Sequence, residues 1–233
     1  MSPEIAALVP FVLFSAVMTG TPGPNNAMVT VSAARIGARR TMPLVLGITS
    51  GTALMFVAMA LGLHALLAGV PALGNVLRVL AAVVLLWIAW KILNAGPIST
   101  GDERPLLGFA GGAGFQWINP KAWAITGSAA TVYLPVAATA GDIGLHAIIL
   151  GAIGTCLVSL WALLGAALRQ SLARPMFARV FNAAMALLLV AATLPVLLDG
   201  DAMDKDAVDK PVIEESAVVT DEGVVMADEA DGR

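Results

Sequence analysis

From Ile5 to Ala34 the chain carries no charged residue, yet the middle of that run reads Thr21-Pro22-Gly23-Pro24-Asn25-Asn26. A stretch of about 20 apolar residues is enough to cross a bilayer as a helix. Proline lacks the N–H that would bond the carbonyl four residues back, and its ring crowds that carbonyl. Pro22 and Pro24 therefore free the carbonyls of Met18 and Gly20, and the helix must break. In hydrocarbon such a break is tolerated only where it is buried in protein or lines a polar cavity. Two readings fit one such segment: a cavity built for a ligand, or a proline kink healed by neighbouring Thr or Ser.

Composition identifies the solvent. The chain is 58% hydrophobic and 12% charged, with a mean hydropathy of +0.86, where soluble chains are about 25% charged. This is the composition of an integral membrane protein. The formal net charge of -3 misleads, because all acids except Glu4, Asp102, Glu103 and Asp142 lie from Asp199 onward. The embedded part is cationic, and its basic residues sit at helix ends and do not gather on one face, which argues against nucleic acid.

The apolar stretches sort into six spans: Ile5 to Ala34, Met42 to Leu67, Val76 to Leu93, Leu106 to Tyr133, Leu145 to Leu168 and Met176 to Leu198. The apolar run behind Met1-Ser2-Pro3-Glu4 is too long for a secretory signal and is expected to be the first span. Cytoplasmic loops carry the excess of Lys and Arg. Arg35, Arg39 and Arg40 mark the first joint, Lys91 and Arg104 the third, and Arg169, Arg174 and Arg179 the fifth. Both termini are thus expected on the periplasmic or extracellular side. Arg78 dissents and can snorkel outward, and Trp87 and Trp90 beside Lys91 fit an interfacial anchor. The spacings Gly47/Gly51 and Gly108/Gly112 suit close helix contact and permit a homodimer.

The second half of the chain echoes the first. Its opening span carries Gln116-Trp117-Ile118-Asn119-Pro120-Lys121, and Pro120 should free the carbonyl of Gln116. The third and sixth spans also open alike, with Arg78-Val79 matching Arg179-Val180. Three spans per half oblige the halves to face opposite ways. Broken helices at corresponding positions of two inverted halves are the best sequence pointer to a transporter binding site. The fold expected is an all-α integral membrane protein of six transmembrane helices in two inverted three-helix repeats, about 5–93 and 106–198. The first helix of each repeat is broken at a proline motif. The tail 199–233, acidic and without aromatic residues, is expected to be disordered.

Thr21-Pro22-Gly23-Pro24-Asn25-Asn26, then Gly37 with Gly47 and Gly51, then Gln116-x-x-Asn119-Pro120-Lys121, resemble the signature of the LysE/RhtB family of amino-acid exporters. Trp87-Ile88-Ala89-Trp90-Lys91-Ile92 and Trp161-Ala162-Leu163-Leu164-Gly165 most resemble the branch that includes cysteine and O-acetylserine exporters. The resemblance covers about Val9 to Leu198 and leaves out the tail. It implies a six-span protein of the bacterial inner membrane that expels amino acids or related metabolites, usually against the proton gradient.

An amino acid is a zwitterion, so its site must offer positive potential to a carboxylate and oxygen acceptors to an ammonium. The half-helix starting after Pro24 directs its N–H groups and positive dipole end at the break. Asn25 and Asn26 add amides. Lys121 is the only full charge well inside a span, where a charge is a functional-site hypothesis by default. On this reading Thr21, Pro22, Gly23, Pro24, Asn25, Asn26, Gln116, Asn119, Pro120 and Lys121 bind substrate. Lys121 holds the carboxylate, and the carbonyls near Met18, Gly20 and Gln116 receive the ammonium. The competing role for Lys121 is structural, snorkelling or capping carbonyls.

Protons are the expected second partner, but no Asp or Glu lies within a span. The position after Gly51, an acid in several family members, is Thr52 here. Lys121 can exchange a proton as the pump cycles, and uncoupled export fits equally. His64 and His146, near the outer ends of their spans, suit interfacial structural roles better than a relay.

Other classes fit less well. The single cysteine, Cys156, excludes an intrachain disulfide and a thiol–disulfide carrier. A metal exporter would need clustered His, Asp or Glu, and an enzyme a nucleophile with a base in reach. A structural or assembly protein leaves two matching breaks unexplained. No cofactor is expected. The substrate expected is small and neutral, because a cationic side chain would need an intramembrane counter-charge.

Overall fold

The structure, a computed structural model, describes residues 3–63, 71–95 and 107–198. Over these residues it is helical, with no strand. Helix α1 spans Pro3–Gly20, α2 Pro24–Ile36, and α3 Ala38–Ala58, continued by a π-turn over Met59–Leu63. Helix α4 spans Pro71–Leu93. A short α5, Phe109–Phe115, runs into a 3-10 turn over Gln116–Ile118. Then follow α6 at Pro120–Val132, α7 at Ala140–Leu172 and α8 at Pro175–Leu198.

Both breaks fall where proline chemistry puts them. α2 starts on Pro24 and α6 on Pro120, first-turn positions at which a missing N–H costs nothing. Two expected spans are therefore pairs of half-helices, α1 with α2 and α5 with α6. The segments 64–70, 96–106 and 199–233 lie outside the described residues. The expectations for His64, Arg104 and the acidic tail fall there.

Several span limits move. α7 starts at Ala140, not Leu145, because Thr139 and Asp142 form a capping box. In it Asp142 N donates to Thr139 Oγ1 at 3.2 Å, and Thr139 N donates to Asp142 Oδ2 at 2.8 Å. α3 starts at Ala38, directly after Gly37, whose φ of 87° and ψ of 157° turn the chain between α2 and α3.

By length and composition, Ala38–Leu63 and Ala140–Leu172 are each able to cross a membrane. The outer surface fits that solvent: Leu54, Leu61, Ile148, Leu163 and Leu187 are all exposed, an apolar shell of a kind soluble monomers avoid.

α7 is the hub of the packing. It lies against α1, α2 and α3, while α3 also holds α5 and α6, and α4 pairs with α8. The closest approaches use glycine. A Cβ on Gly47 would collide with the carbonyl of Phe109, and one on Gly51 would lie 2.7 Å from Cα of Ala113. On the other side of the same contact, a Cβ on Gly112 would lie 2.9 Å from the carbonyl of Leu44. Gly47, Gly51 and Gly112 thus let α3 and α5 touch backbone to backbone inside the protomer, and they carry no argument for a dimer. Gly108 does not belong with them. It precedes α5 with open space beside it.

Ala34, Leu172 and Ala178 pack together, and Asn182 Nδ2 donates to the carbonyl of Ala95 at 2.6 Å. The ends of α2, α4 and α7 and the start of α8 therefore gather at one end of the bundle. Those are the segments that carry Arg35, Lys91, Arg169, Arg174 and Arg179. There Lys91 Nζ sits 4.3 Å over the ring of Trp87, and Trp87 and Trp90 are exposed, as an interfacial anchor requires.

Candidate functional site

The two breaks meet. From the second half, Lys121 Nζ reaches the first break and donates to the Thr21 carbonyl at 2.9 Å, Thr21 Oγ1 at 2.8 Å and the Pro22 carbonyl at 3.3 Å. Three oxygens satisfy the three N–H donors of a lysine ammonium. Lys121 is half-buried and Thr21 and Pro22 are exposed, while Gly23, Pro24 and Asn26 are buried. Gly23 is what makes room, since a Cβ there would lie 3.0 Å from Lys121 Cδ and 3.2 Å from Nζ.

A second bridge runs beside the first. Asn25 and Gln116 exchange amide hydrogen bonds, Nδ2 to Oε1 at 2.9 Å and Nε2 to Oδ1 at 3.0 Å. Gln116, fully buried, also donates to the Gly112 carbonyl at 2.9 Å and accepts from Thr52 Oγ1 at 3.3 Å. Asn119 caps α6, its Oδ1 accepting from Lys121 N at 3.1 Å. α2 has no capping side chain, so its first-turn N–H groups keep their positive potential.

Each of the three carbonyls released at the two breaks has a donor within the chain. Met18 accepts from Thr21 Oγ1 at 3.1 Å, Gly20 from the Trp161 indole N–H at 3.1 Å, and Gln116 from Asn119 N at 3.1 Å. The expectation that these three carbonyls stand open for a substrate ammonium is therefore corrected. An orphan carbonyl in hydrocarbon is too costly to leave bare, and each is closed by the nearest available N–H or O–H. The oxygens that do hold an ammonium belong to Thr21 and Pro22, and the ammonium is that of Lys121.

Between the breaks lies a cavity of about 30 Å³, lined among others by Gly23, Asn25, Asn26, Asn119 and Lys121. The remaining expected residues, Thr21, Pro22, Pro24, Gln116 and Pro120, support the wall or rim and do not line it. Thr49 and Thr52 from α3, Leu150, Gly154 and Val158 from α7, and Met18 and Thr19 from α1 complete much of the wall. That volume holds about two waters. Asn26 Nδ2 ties the two sides of the first break, donating to the carbonyls of Thr19 at 3.1 Å and Thr21 at 2.7 Å.

In the sequence Trp161 stands out only within a branch motif and Thr52 only as a position without an acid, and neither they nor Thr49 are expected at the site. An indole in the middle of a long apolar helix was the available signal, since a buried Trp N–H needs an acceptor. Thr49 and Thr52 line the cavity from α3, and Thr155 Oγ1 reaches Thr49 Oγ1 at 3.0 Å from α7. His146 has a structural place: it is buried, its Nδ1 lies 2.8 Å from the Asp142 carbonyl, and its ring centroid lies 4.6 Å from that of Phe11. Among the described residues no group of His, Cys, Asp or Glu is arranged to hold a metal ion, and no carboxylate lines the cavity.

Comparison with known proteins bears on this geometry. A family model described as LysE type translocator matches residues 16–200. The chain is similar to a protein of Salmonella typhi named cysteine/O-acetylserine efflux protein, 31% identical over 194 residues, which are 82% of this chain and 96% of that protein. Proteins of the same name from Escherichia coli (strain K12) and Klebsiella pneumoniae are 30% identical over 193 residues and 27% identical over 202 residues. Those alignments cover 82% and 85% of this chain, and 96% and 100% of the two relatives. No solved structure matches.

Proposed function

The chain belongs to the LysE type translocator family, and from that premise we propose that it is a secondary transporter exporting a small neutral amino acid or amino-acid metabolite. The substrate is of the cysteine/O-acetylserine, homoserine or threonine type, and the membrane is the bacterial inner membrane. The observation that carries this reading is Lys121, the one charged residue in the described cavity lining, held at 2.9 Å from the backbone of the opposite broken helix. A transporter needs a site near the midplane built by discontinuous helices of both halves. Here α2 and α6 present their positive ends to it together with an ammonium, a setting for a carboxylate. Apolar Ile48, Ile125, Leu150 and Val158 line the same cavity, which favours a small uncharged side chain. An antiport cycle would have to pass its proton through Lys121, because the described lining holds no carboxylate.

We read the fold as two inverted three-span repeats, about 5–93 and 106–198. Its support is the pair of proline-started half-helices and the packing of α3 on α7 and α4 on α8, self-paired contacts of the kind a twofold relation produces. Both termini are assigned to the periplasmic side because the basic helix ends lie together at the opposite, cytoplasmic end. In a non-transporting structural protein, the competing reading, Lys121 would cap the Thr21 and Pro22 carbonyls, but the polar-lined cavity beside it has no purpose.

Export is tested by loading cells with dipeptides and measuring extracellular cysteine, O-acetylserine, homoserine, threonine, leucine and lysine. Cells express either the wild type or Lys121→Ala at matched membrane levels. Selective release by the wild type, lost in the variant, is the expected result. Release no greater than that of cells carrying an empty vector would overturn the amino-acid reading.

A further inference from the structure

We infer that the three oxygens now holding Lys121, the Thr21 carbonyl, Thr21 Oγ1 and the Pro22 carbonyl, form the subsite for the substrate's own primary ammonium. Lys121 occupies that subsite in the empty transporter and leaves it for the substrate's carboxylate. The inference rests on the exporter reading for the identity of the substrate. The subsite itself stands on geometry.

The contacts are those of a primary ammonium, three acceptors at 2.9, 2.8 and 3.3 Å. None of them is an anion. A cation held only by neutral dipoles is exchangeable for another cation of the same shape, and a partner carboxylate makes the stronger charge-assisted bonds. The other oxygens released by the breaks, on Met18, Gly20 and Gln116, are already occupied by donors of the protein. When the single flexible side chain of Lys121 moves, the Pro22 carbonyl and Thr21 Oγ1 lose its N–H, and the Thr21 carbonyl keeps Asn26 on one lone pair and frees the other.

The rest of the loop is fixed independently of Lys121. Asn26 Nδ2 bonds the Thr21 carbonyl at 2.7 Å, and Thr21 N bonds the Val17 carbonyl at 3.0 Å. The acceptors therefore keep their places when the lysine leaves. Gly23 provides the slot for an alkyl stem beside them, where a Cβ would stand 3.0 Å from Lys121 Cδ.

Charge arithmetic favours the exchange. The site carries one positive charge when empty. With a zwitterion bound it carries the Lys121 ammonium, the substrate carboxylate and the substrate ammonium, again one net positive charge. The carboxylate lies between the two cations. An amine without a carboxylate would leave two ammonium groups side by side at the break, where like charges repel. The site therefore selects for both groups of an α-amino acid, and each N-methylation of the substrate removes one of the N–H donors it reads.

The test is chemical rescue in the full-length protein. Lys121→Ala empties the subsite. Ethylammonium should then raise the melting temperature of the detergent-solubilised variant with the logarithm of its concentration, as a ligand of the folded state does. Tetramethylammonium, with no N–H, should leave it unmoved, and neither should shift the wild type. Adding Thr21→Val should weaken the ethylammonium effect several-fold. If Lys121→Ala does not accumulate, cells are grown with either cation: protein that appears only with ethylammonium supports the subsite, and none with either overturns it. A variant that folds and responds equally to both cations, or to neither, also overturns it. Rescue by ethylammonium alongside a wild type that exports no amino acid would keep the subsite and remove the exporter reading.

Discussion

Replacing Gln116 by leucine should cost the protein about 2–3 kcal/mol of stability and loosen the junction between the broken helices. The side chain is fully buried, and leucine is near it in volume, so little cavity is created. What is lost is five hydrogen bonds, two with Asn25 and one each with Gly112, Thr52 and Asn119, the last long at 3.5 Å. Side-chain hydrogen bonds between membrane helices average about 0.6 kcal/mol each, which sets the magnitude. Asn25 is half-buried, so water reaching its freed amide limits the loss. The reciprocal pair should show as coupling: Asn25→Leu combined with Gln116→Leu should be less damaging than the two single costs together, by about 1–2 kcal/mol. Reversible unfolding in mixed micelles, followed by tryptophan fluorescence, measures all four proteins of the cycle. A single-variant cost below about 0.5 kcal/mol, or strict additivity, would refute the view that this amide pair clamps the two breaks.

Gly51→Ala should destabilise by about 1–3 kcal/mol through overpacking, because its Cβ would lie 2.7 Å from the backbone of Ala113. Gly108→Ala, facing open space, should stay within about 0.5 kcal/mol, and thermal unfolding in detergent compares the pair. Trp161→Phe should leave the Gly20 carbonyl bare and cost about 1–3 kcal/mol, with export falling while membrane insertion is retained. Gly37→Ala should cost about 1–3 kcal/mol, since φ of 87° with ψ of 157° is a region side chains avoid, and the same unfolding assay reads it.

Helix starts and breaks were legible because their causes are local. Pro24 and Pro120 each open a half-helix where sequence places them, and Gly47 and Gly51 do lie in a close contact. Local pattern failed where an end depends on backbone geometry or a cap. Gly108 shares the spacing of Gly112 but not its neighbours, and α7 runs on to Ala140 because Thr139 and Asp142 satisfy its first N–H groups. The site was legible as a set of residues and not as a set of roles. Asn25 and Asn26 read alike in the sequence. In the structure Asn25 bonds Gln116 across the two halves, while Asn26 holds its own break together.

Proline chemistry alone determined that the carbonyls of Met18, Gly20 and Gln116 would lose their helical partners, since a missing N–H is a property of the residue and acts only four positions back. Met18 and Gln116 are closed locally, three residues on, by Thr21 and Asn119, but the group that closes Gly20 and the oxygens that hold the lysine depended on chain segments far apart in sequence. The Trp161 indole comes to Gly20 from 141 residues away, and the Lys121 ammonium to Thr21 from 100 residues away. Only the packing of α7 against α1 and α2, and the meeting of the two breaks, sets those distances. Hydrogen bonds need a donor within about 3 Å, and no local rule supplies that.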